Sequence, residues 1–145
     1  MMDAVEQNTA LVEALYDGYN SHRIGDVAAL YAVDATHEDI AHGRTKFGPQ
    51  AIADGLRKFI GWFPDAEWKL GSITVGTNRK AAVQYTLTGT LSVAMGPIAP
   101  RGQKISLRGL MVLTIENEKI SRSEDYWDAA TFQKQLNSNT PEDKL

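Results

Sequence analysis

Val5, Leu11, Val12, Leu15, Tyr16 and Tyr19 recur at three- and four-residue intervals, the spacing of one face of a helix. Asp3, with Glu6 three residues on, has the form of a capping pair at its start. The polar run Asn20, Ser21, His22 and Arg23 ends the pattern, and Asp26 is placed to cap a second, short helix carrying Val27, Leu30 and Tyr31. A short strand is predicted over 35–40. Gly48 and Pro49 open a third helix, because proline at the first helical position gives up no needed hydrogen bond. Its apolar face is Ile52, Leu56, Phe59, Ile60 and Phe63, and Pro64 stops it.

Beyond Pro64 the period falls to two. Trp68 and Leu70, then Ile73 and Val75, alternate with polar residues, and Gly71 between the pairs marks a bulge. A turn at 77–80 leads to Val83, Tyr85 and Leu87, which alternate with Gln84, Thr86, Thr88 and Thr90. A Pro- and Gly-rich stretch, 94–102, interrupts the strands and reads either as a lid at a cavity mouth or as a tight connection. Ile105, Leu107, Met111, Leu113 and Ile115 then alternate toward a turn at 116–119, and a last strand runs through Trp127. Asp128 is placed to cap a closing helix over 129–136. Three helices followed by a strand meander make an α+β plan, with the helices packed on one face of a bent, mostly antiparallel sheet. The expected domain is 1–136, with a polar tail over 137–145.

Composition narrows the partners. At 145 residues, 43% hydrophobic and 23% charged, the chain can bury one core. Fifteen basic against eighteen acidic residues give a net charge of −3, with no basic run, so nucleic acid is not an expected partner. The N-terminal residues lack the basic and apolar regions of a signal peptide, and no apolar run is long enough to span a bilayer. The expected compartment is the cytoplasm. With no cysteine, disulfides, thiolate chemistry and sulfur-ligated metals are excluded.

Phosphate-binding glycine loops and a serine nucleophile elbow are both missing from the chain. His37, Asp39 and His42 could in principle make a two-histidine, one-carboxylate metal site. Residues 39–42 span an expected turn that fixes no such geometry, so loop residues at a pocket rim are the preferred reading and no metal is assigned. In the last strand Ser121, Ser123, Asp125 and Trp127 share one face; Arg122, Glu124 and Tyr126 share the other. Asp125 beside a large apolar ring would gain a raised pKa if that face looks inward, and would then serve as a general base or acid; otherwise it is a solvated strand-end carboxylate. His37 and Asp39 share a face of the early strand, where they either assist with a proton and a carbonyl or lie solvated at the sheet edge. Tyr16, Tyr19, Phe59, Trp62, Phe63 and Trp127 converge where the first and third helices cross the sheet, either as core or as the apolar wall of a cavity.

Three stretches carry a resemblance. They are Leu30, Tyr31, Ala32, Val33, Asp34, Ala35, Thr36, His37, Glu38 and Asp39; then His42 and Gly43 followed by Gly48 and Pro49; then Lys119 and Ile120 leading to Asp125, Tyr126, Trp127 and Asp128, with Gln135 and Leu136. In this order the chain, up to about Leu136, resembles the SnoaL-like polyketide cyclase family. That family lies within the cone-shaped superfamily of nuclear transport factor 2 and ketosteroid isomerase. The resemblance implies a long helix, two short helices, a strongly bent sheet and a homodimer through the sheet. It places Asp125 at the acid/base aspartate of the cyclases and of limonene epoxide hydrolase, and Asp39 at the proton-shuttling aspartate of ketosteroid isomerase. It aligns Thr88 and Thr90 with the arginine and second aspartate of the epoxide hydrolase. Leu15 and Met111 align with the isomerase's oxyanion donors, and Met111 also falls near a cyclase histidine. None of these four can do the matching job, and a lost oxyanion donor costs ~10²–10³ in rate. The carbonyl-polarising role then passes to His37, a tyrosine (Tyr16 or Tyr19) or water.

The reading that follows is proton transfer on a hydrophobic carbonyl compound, with cyclisation or isomerisation. Asp125 is the base, His37 and Asp39 assist, and Tyr16, Tyr19, Phe59, Trp62, Met111 and Trp127 line the substrate. No metal or organic cofactor is called for. The alternatives are a non-catalytic ligand-binding domain, which the departures at Met111, Leu15, Thr88 and Thr90 favour, and a hydrolase with Asp125 activating water.

Overall fold

The computed structural model describes residues 3–138. Asp3 caps the first helix, α1 (Ala4–Asn20), its carboxylate accepting from the Glu6 N–H at 2.8 Å. Val12, Leu15, Tyr16 and Tyr19 are buried as the spacing predicts, whereas Val5, in the first turn, is half exposed. The second helix, α2 (Ile24–Ala29), begins earlier than expected. Its N-cap position is Arg23, and Asp26 lies inside the first turn, 3.8 Å from the Arg23 guanidinium, rather than capping. The reason lies in the corner. His22 takes a left-handed conformation (φ 56°), and Val27 packs against the bare face of Gly18, where a Cβ would collide with it. That reversal starts the helix at once. Leu30 ends it, and Tyr31 opens a strand instead of closing the helix.

The strands are β1 (Tyr31–Asp39), β2 (Arg44–Phe47), β3 (Glu67–Val75), β4 (Lys80–Thr90), β5 (Lys104–Glu116) and β6 (Lys119–Trp127). α3 (Pro49–Trp62) joins β2 to β3, and α4 (Ala129–Leu136) follows β6. β2 is an addition to the sequence reading: four residues of mostly exposed, polar character show no alternation to detect. The sheet order is β2-β1-β6-β5-β4-β3, antiparallel throughout except for the parallel pair β1–β6. Register shifts interrupt β3 between Leu70 and Ile73, where Gly71 lies, and also β1–β6 and β5–β6. Asn117 and Glu118, both at positive φ, make the β5–β6 turn.

α1 lies over β3 and β4, α3 over β1 and α2, and α4 over β5. The apolar side chains between these layers, among them Leu15, Val83, Leu113 and Ile120, form one buried cluster. The result is a cone-shaped α+β fold. Among the described residues there are four helices, three preceding the main meander and one closing it. Asp128 caps the last through the Ala130 N–H, as expected. Residues 94–102 are a pinned connection rather than a free lid. Met95 and Ile98 exchange backbone hydrogen bonds, and the fully buried Gln103 amide donates to the Ala99 and Leu136 carbonyls while accepting from the Arg101 N–H. Among the described residues no helix is long and apolar enough to cross a membrane. The tail expected over 137–145 falls, from residue 139 on, outside the described residues.

Candidate active site

Strand parity divides β6 as the sequence predicts. Arg122 and Glu124 face outward, where the Arg122 guanidinium meets Glu38 at 2.6 Å and Glu124 at 3.4 Å. Ser123, Asp125 and Trp127 face the helices. The parallel register of β1 on β6 sets His37 beside Ser123 and Asp39 beside Asp125, so both inward faces form one polar row. Sequence spacing alone does not show this, because it depends on which strands are neighbours.

Asp125 accepts a hydrogen bond from the Tyr85 hydroxyl at 2.7 Å. Tyr85 belongs to β4, two strands away, with β5 between them. Its register partner on β5 is Gly109, and its ring lies flat across that residue: any Cβ there would fall inside the ring. Gly109 is therefore a gap through which a side chain on β4 reaches one on β6. Asp125 keeps some accessible surface while protein packs around it on almost every side. Burial pushes its pKa up to about 7; the Tyr85 hydrogen bond pulls it back, and the neighbouring Asp39 carboxylate pushes it up again.

Asp39 is committed to two partners. Its Oδ1 accepts from the Trp127 indole N–H at 3.0 Å, and its Oδ2 meets His42 Nδ1 at 3.1 Å. It is a held charge next to Asp125 rather than a second free base. His37 bonds Ser123 Oγ through Nδ1 at 2.7 Å. His37, Asp39 and His42 thus do not converge on a common point, and among the described residues no three metal-ligating side chains do. Burial, with Lys46 adding to it, pulls the His37 pKa down to about 4, against a smaller opposing pull from Asp39.

Of the predicted lining residues, Met111 is fully buried and directly opposite Asp125 in the β5–β6 register. Tyr16 packs its ring 6.1 Å from that of Tyr85 and 5.0 Å from that of Tyr19. Its hydroxyl is buried with no hydrogen-bond partner, and it lies near enough to Asp125 for that charge, after burial itself, to raise its pKa. Trp127 meets His42 and Phe132 edge-on. Phe59 stacks on Phe63, with Trp68 beyond. Trp62 is half-buried at the end of α3, with the Lys58 ammonium 5.3 Å from its ring centre.

One expectation about homologous positions changes. Thr88 and Thr90 point to the outer face of β4; the inward positions are Val83, Tyr85 and Leu87. No guanidinium or second carboxylate stands there to polarise an epoxide. Leu15 is buried, and its neighbour Tyr16 supplies the phenol facing the site. An open cleft of ≈ 480 Å³, lined by Gln84, Thr86, Arg108, Leu110 and Tyr126 among others, lies on the outer sheet face, opposite Asp125.

Comparison with known proteins places the fold and the family. No curated protein matches the chain. Among solved structures, a candidate polyketide cyclase from Xanthomonas campestris superposes with a TM-score of 0.84 at 20% identity, over 91% of this chain and 98% of that one. IdmH, a candidate polyketide cyclase from Streptomyces antibioticus, gives 0.76 at 20% identity, over 90% and 98%. TerC, solved with polyporic acid, gives 0.76 at 19% identity, over 91% and 99%. At these identities the likeness establishes the shared fold. The model of the SnoaL-like polyketide cyclase family matches residues 9–136, nearly the whole described chain, and this chain belongs to that family.

Proposed function

We propose that the protein binds an apolar carbonyl compound beneath its helices and catalyses proton transfer on it, with cyclisation or isomerisation to follow. Asp125 takes a proton from the carbon next to the carbonyl. The C–H electron pair becomes the enolate double bond, and the carbonyl oxygen takes the negative charge. Returning the proton at another carbon completes an isomerisation; attack of the enolate carbon on a second carbonyl closes a ring. Asp39 holds the local charge that keeps Asp125 basic near neutrality, and Tyr16 Oη supplies a hydrogen-bond donor for the enolate oxygen. Tyr19, Met111 and Trp127 bound the same space, with Phe59 and Trp62 further along α3.

One observation carries the reading: a recessed carboxylate with a pKa near 7 beside a buried phenol that has no partner. The test is deuterium exchange of the α-protons of 2-tetralone in D2O, followed by NMR, together with binding of polyporic acid. Asp125→Asn is expected to abolish exchange and leave affinity within a few-fold. Undiminished exchange in the variant overturns the mechanism. Tight binding without exchange by the native protein replaces it with a binding domain, the role Met111 favours by standing beside Asp125 where a donor is wanted. We also propose a cytoplasmic homodimer joined through the outer sheet face around Leu110 and Tyr126. Leu110→Arg is expected to halve the mass measured by sedimentation.

A further inference from the structure

The enolate scheme leaves one polar group on β1 without an assigned task. His37 Nδ1 lies 2.7 Å from Ser123 Oγ, and Ser123 Oγ lies 2.8 Å from Tyr31 Oη. Ser123 is fully shielded from solvent, and Tyr31 is buried. Hydrogens along this chain must therefore be shared among its own members.

Three groups make two contacts, and each hydroxyl owns one hydrogen. The two hydroxyl hydrogens fill the two contacts only when both run one way: Tyr31 to Ser123, Ser123 to His37. In that direction Nδ1 accepts, and the ring hydrogen resides on Nε2. In the reverse direction Nδ1 donates, and the hydrogen of the buried Tyr31 hydroxyl is left over, with no second hydrogen-bond partner for that hydroxyl among the described residues. A buried hydroxyl hydrogen without an acceptor is costly enough to favour the first arrangement at least about fivefold.

The far nitrogen is the useful one. Among the described residues Nε2 has no protein partner, and it is not sealed from solvent. The ring sits on the same strand face as Asp39, one step along β1 from the residue beside Asp125. We infer that the Tyr31–Ser123 hydroxyl chain locks His37 as a neutral Nε2–H donor that polarises the substrate carbonyl from the β1 side. Ser123 and Tyr31 are then positioning residues, and Tyr16 and His37 are two donors for one oxygen. The inference deepens the proton-transfer reading and rests on it for the carbonyl. Burial and Lys46 keep the ring uncharged at neutral pH, so it donates without competing with Asp125 for the proton.

The histidine side-chain 15N resonances of the whole protein test this at pH 7, with His37→Gln identifying the His37 signals against those of His22 and His42. The expected spectrum is a single Nε2–H tautomer. Ser123→Ala is expected to give a tautomer mixture, and Tyr31→Phe a partial shift in the same direction. In 2-tetralone exchange His37→Gln should lower kcat about 10²-fold and Ser123→Ala about tenfold, with KM moved less than threefold. An Nδ1–H or doubly protonated ring in the native protein, or an unchanged tautomer in Ser123→Ala, overturns the inference. Asp125→Asn separates the two readings. It should abolish exchange and keep the tautomer, whereas normal exchange in that variant would end the proton-transfer scheme and leave the tautomer assignment standing.

Discussion

The ring of Tyr85 occupies the space that any side chain at Gly109 would need, and from there its hydroxyl reaches Asp125 at 2.7 Å. Gly109→Ala must therefore move Tyr85. Overpacking of this kind costs about 1–3 kcal/mol of stability. Because the displaced group is the Asp125 partner, the loss should overlap with that of Tyr85→Phe. Urea melts of the two single variants and the double variant measure the overlap. Strictly additive losses would show that the glycine serves the backbone and not the tyrosine.

Tyr85→Phe alone removes the one hydrogen bond that holds the Asp125 pKa down, while burial and the Asp39 charge continue to push it up. A hydrogen bond to a charged group contributes about 1.5–3 kcal/mol. Its loss should shift the acidic limb of kcat/KM for 2-tetralone exchange upward by about one pH unit or more. The sign is the informative part. A limb that moves down, or stays, would mean that Tyr85 does not favour the ionised carboxylate.

Asp125 and His37 should pull the pH dependence of stability in opposite directions. Between about pH 4 and 7 native Asp125 keeps a proton that the unfolded chain has released, so its contribution is complete below pH 4 and lost as pH rises to about 7. Native His37 refuses a proton that the unfolded chain takes below about pH 6.5, so its contribution is lost as pH falls toward about 4. Asp125→Asn should therefore gain stability over the native protein as pH rises from 4 to 7, by about 1–3 kcal/mol once partial solvent access is allowed for. His37→Gln should be most stable relative to native near pH 4, with the advantage shrinking by pH 6.5. Two differences of the same sign would refute one of the two environments.

The two inward-facing polar pairs were legible in the chain, since a period of two assigns Asp125 with Trp127, and His37 with Asp39, whatever the topology. Their meeting was not. It depends on the parallel pairing of β1 with β6, which local alternation does not encode, and on β2, whose four mostly exposed residues show no pattern. Tyr85 was missed for a different reason: between Val83 and Leu87 an inward tyrosine reads as core. The available signal was Gly109, a glycine in an inward position of an otherwise apolar run (Leu107, Met111, Leu113), which marks a place where something large lies against the backbone. At α2 the capping rule favoured Asp26, but the tight corner at Gly18 and His22 set the helix start instead.

Tyr16 offers the sharpest separation of stability from function. Its hydroxyl is buried without a partner, a state that costs a folded protein about 1–3 kcal/mol. Tyr16→Phe removes the unsatisfied oxygen and keeps the ring that packs against Tyr19 and Tyr85. The variant should therefore melt at the native temperature or above it. If the phenol donates to the enolate oxygen, the same change should slow 2-tetralone exchange by about 10²–10³-fold. A merely structural tyrosine would show the reverse, with stability lost and exchange retained, and thermal melts set beside exchange rates decide between them.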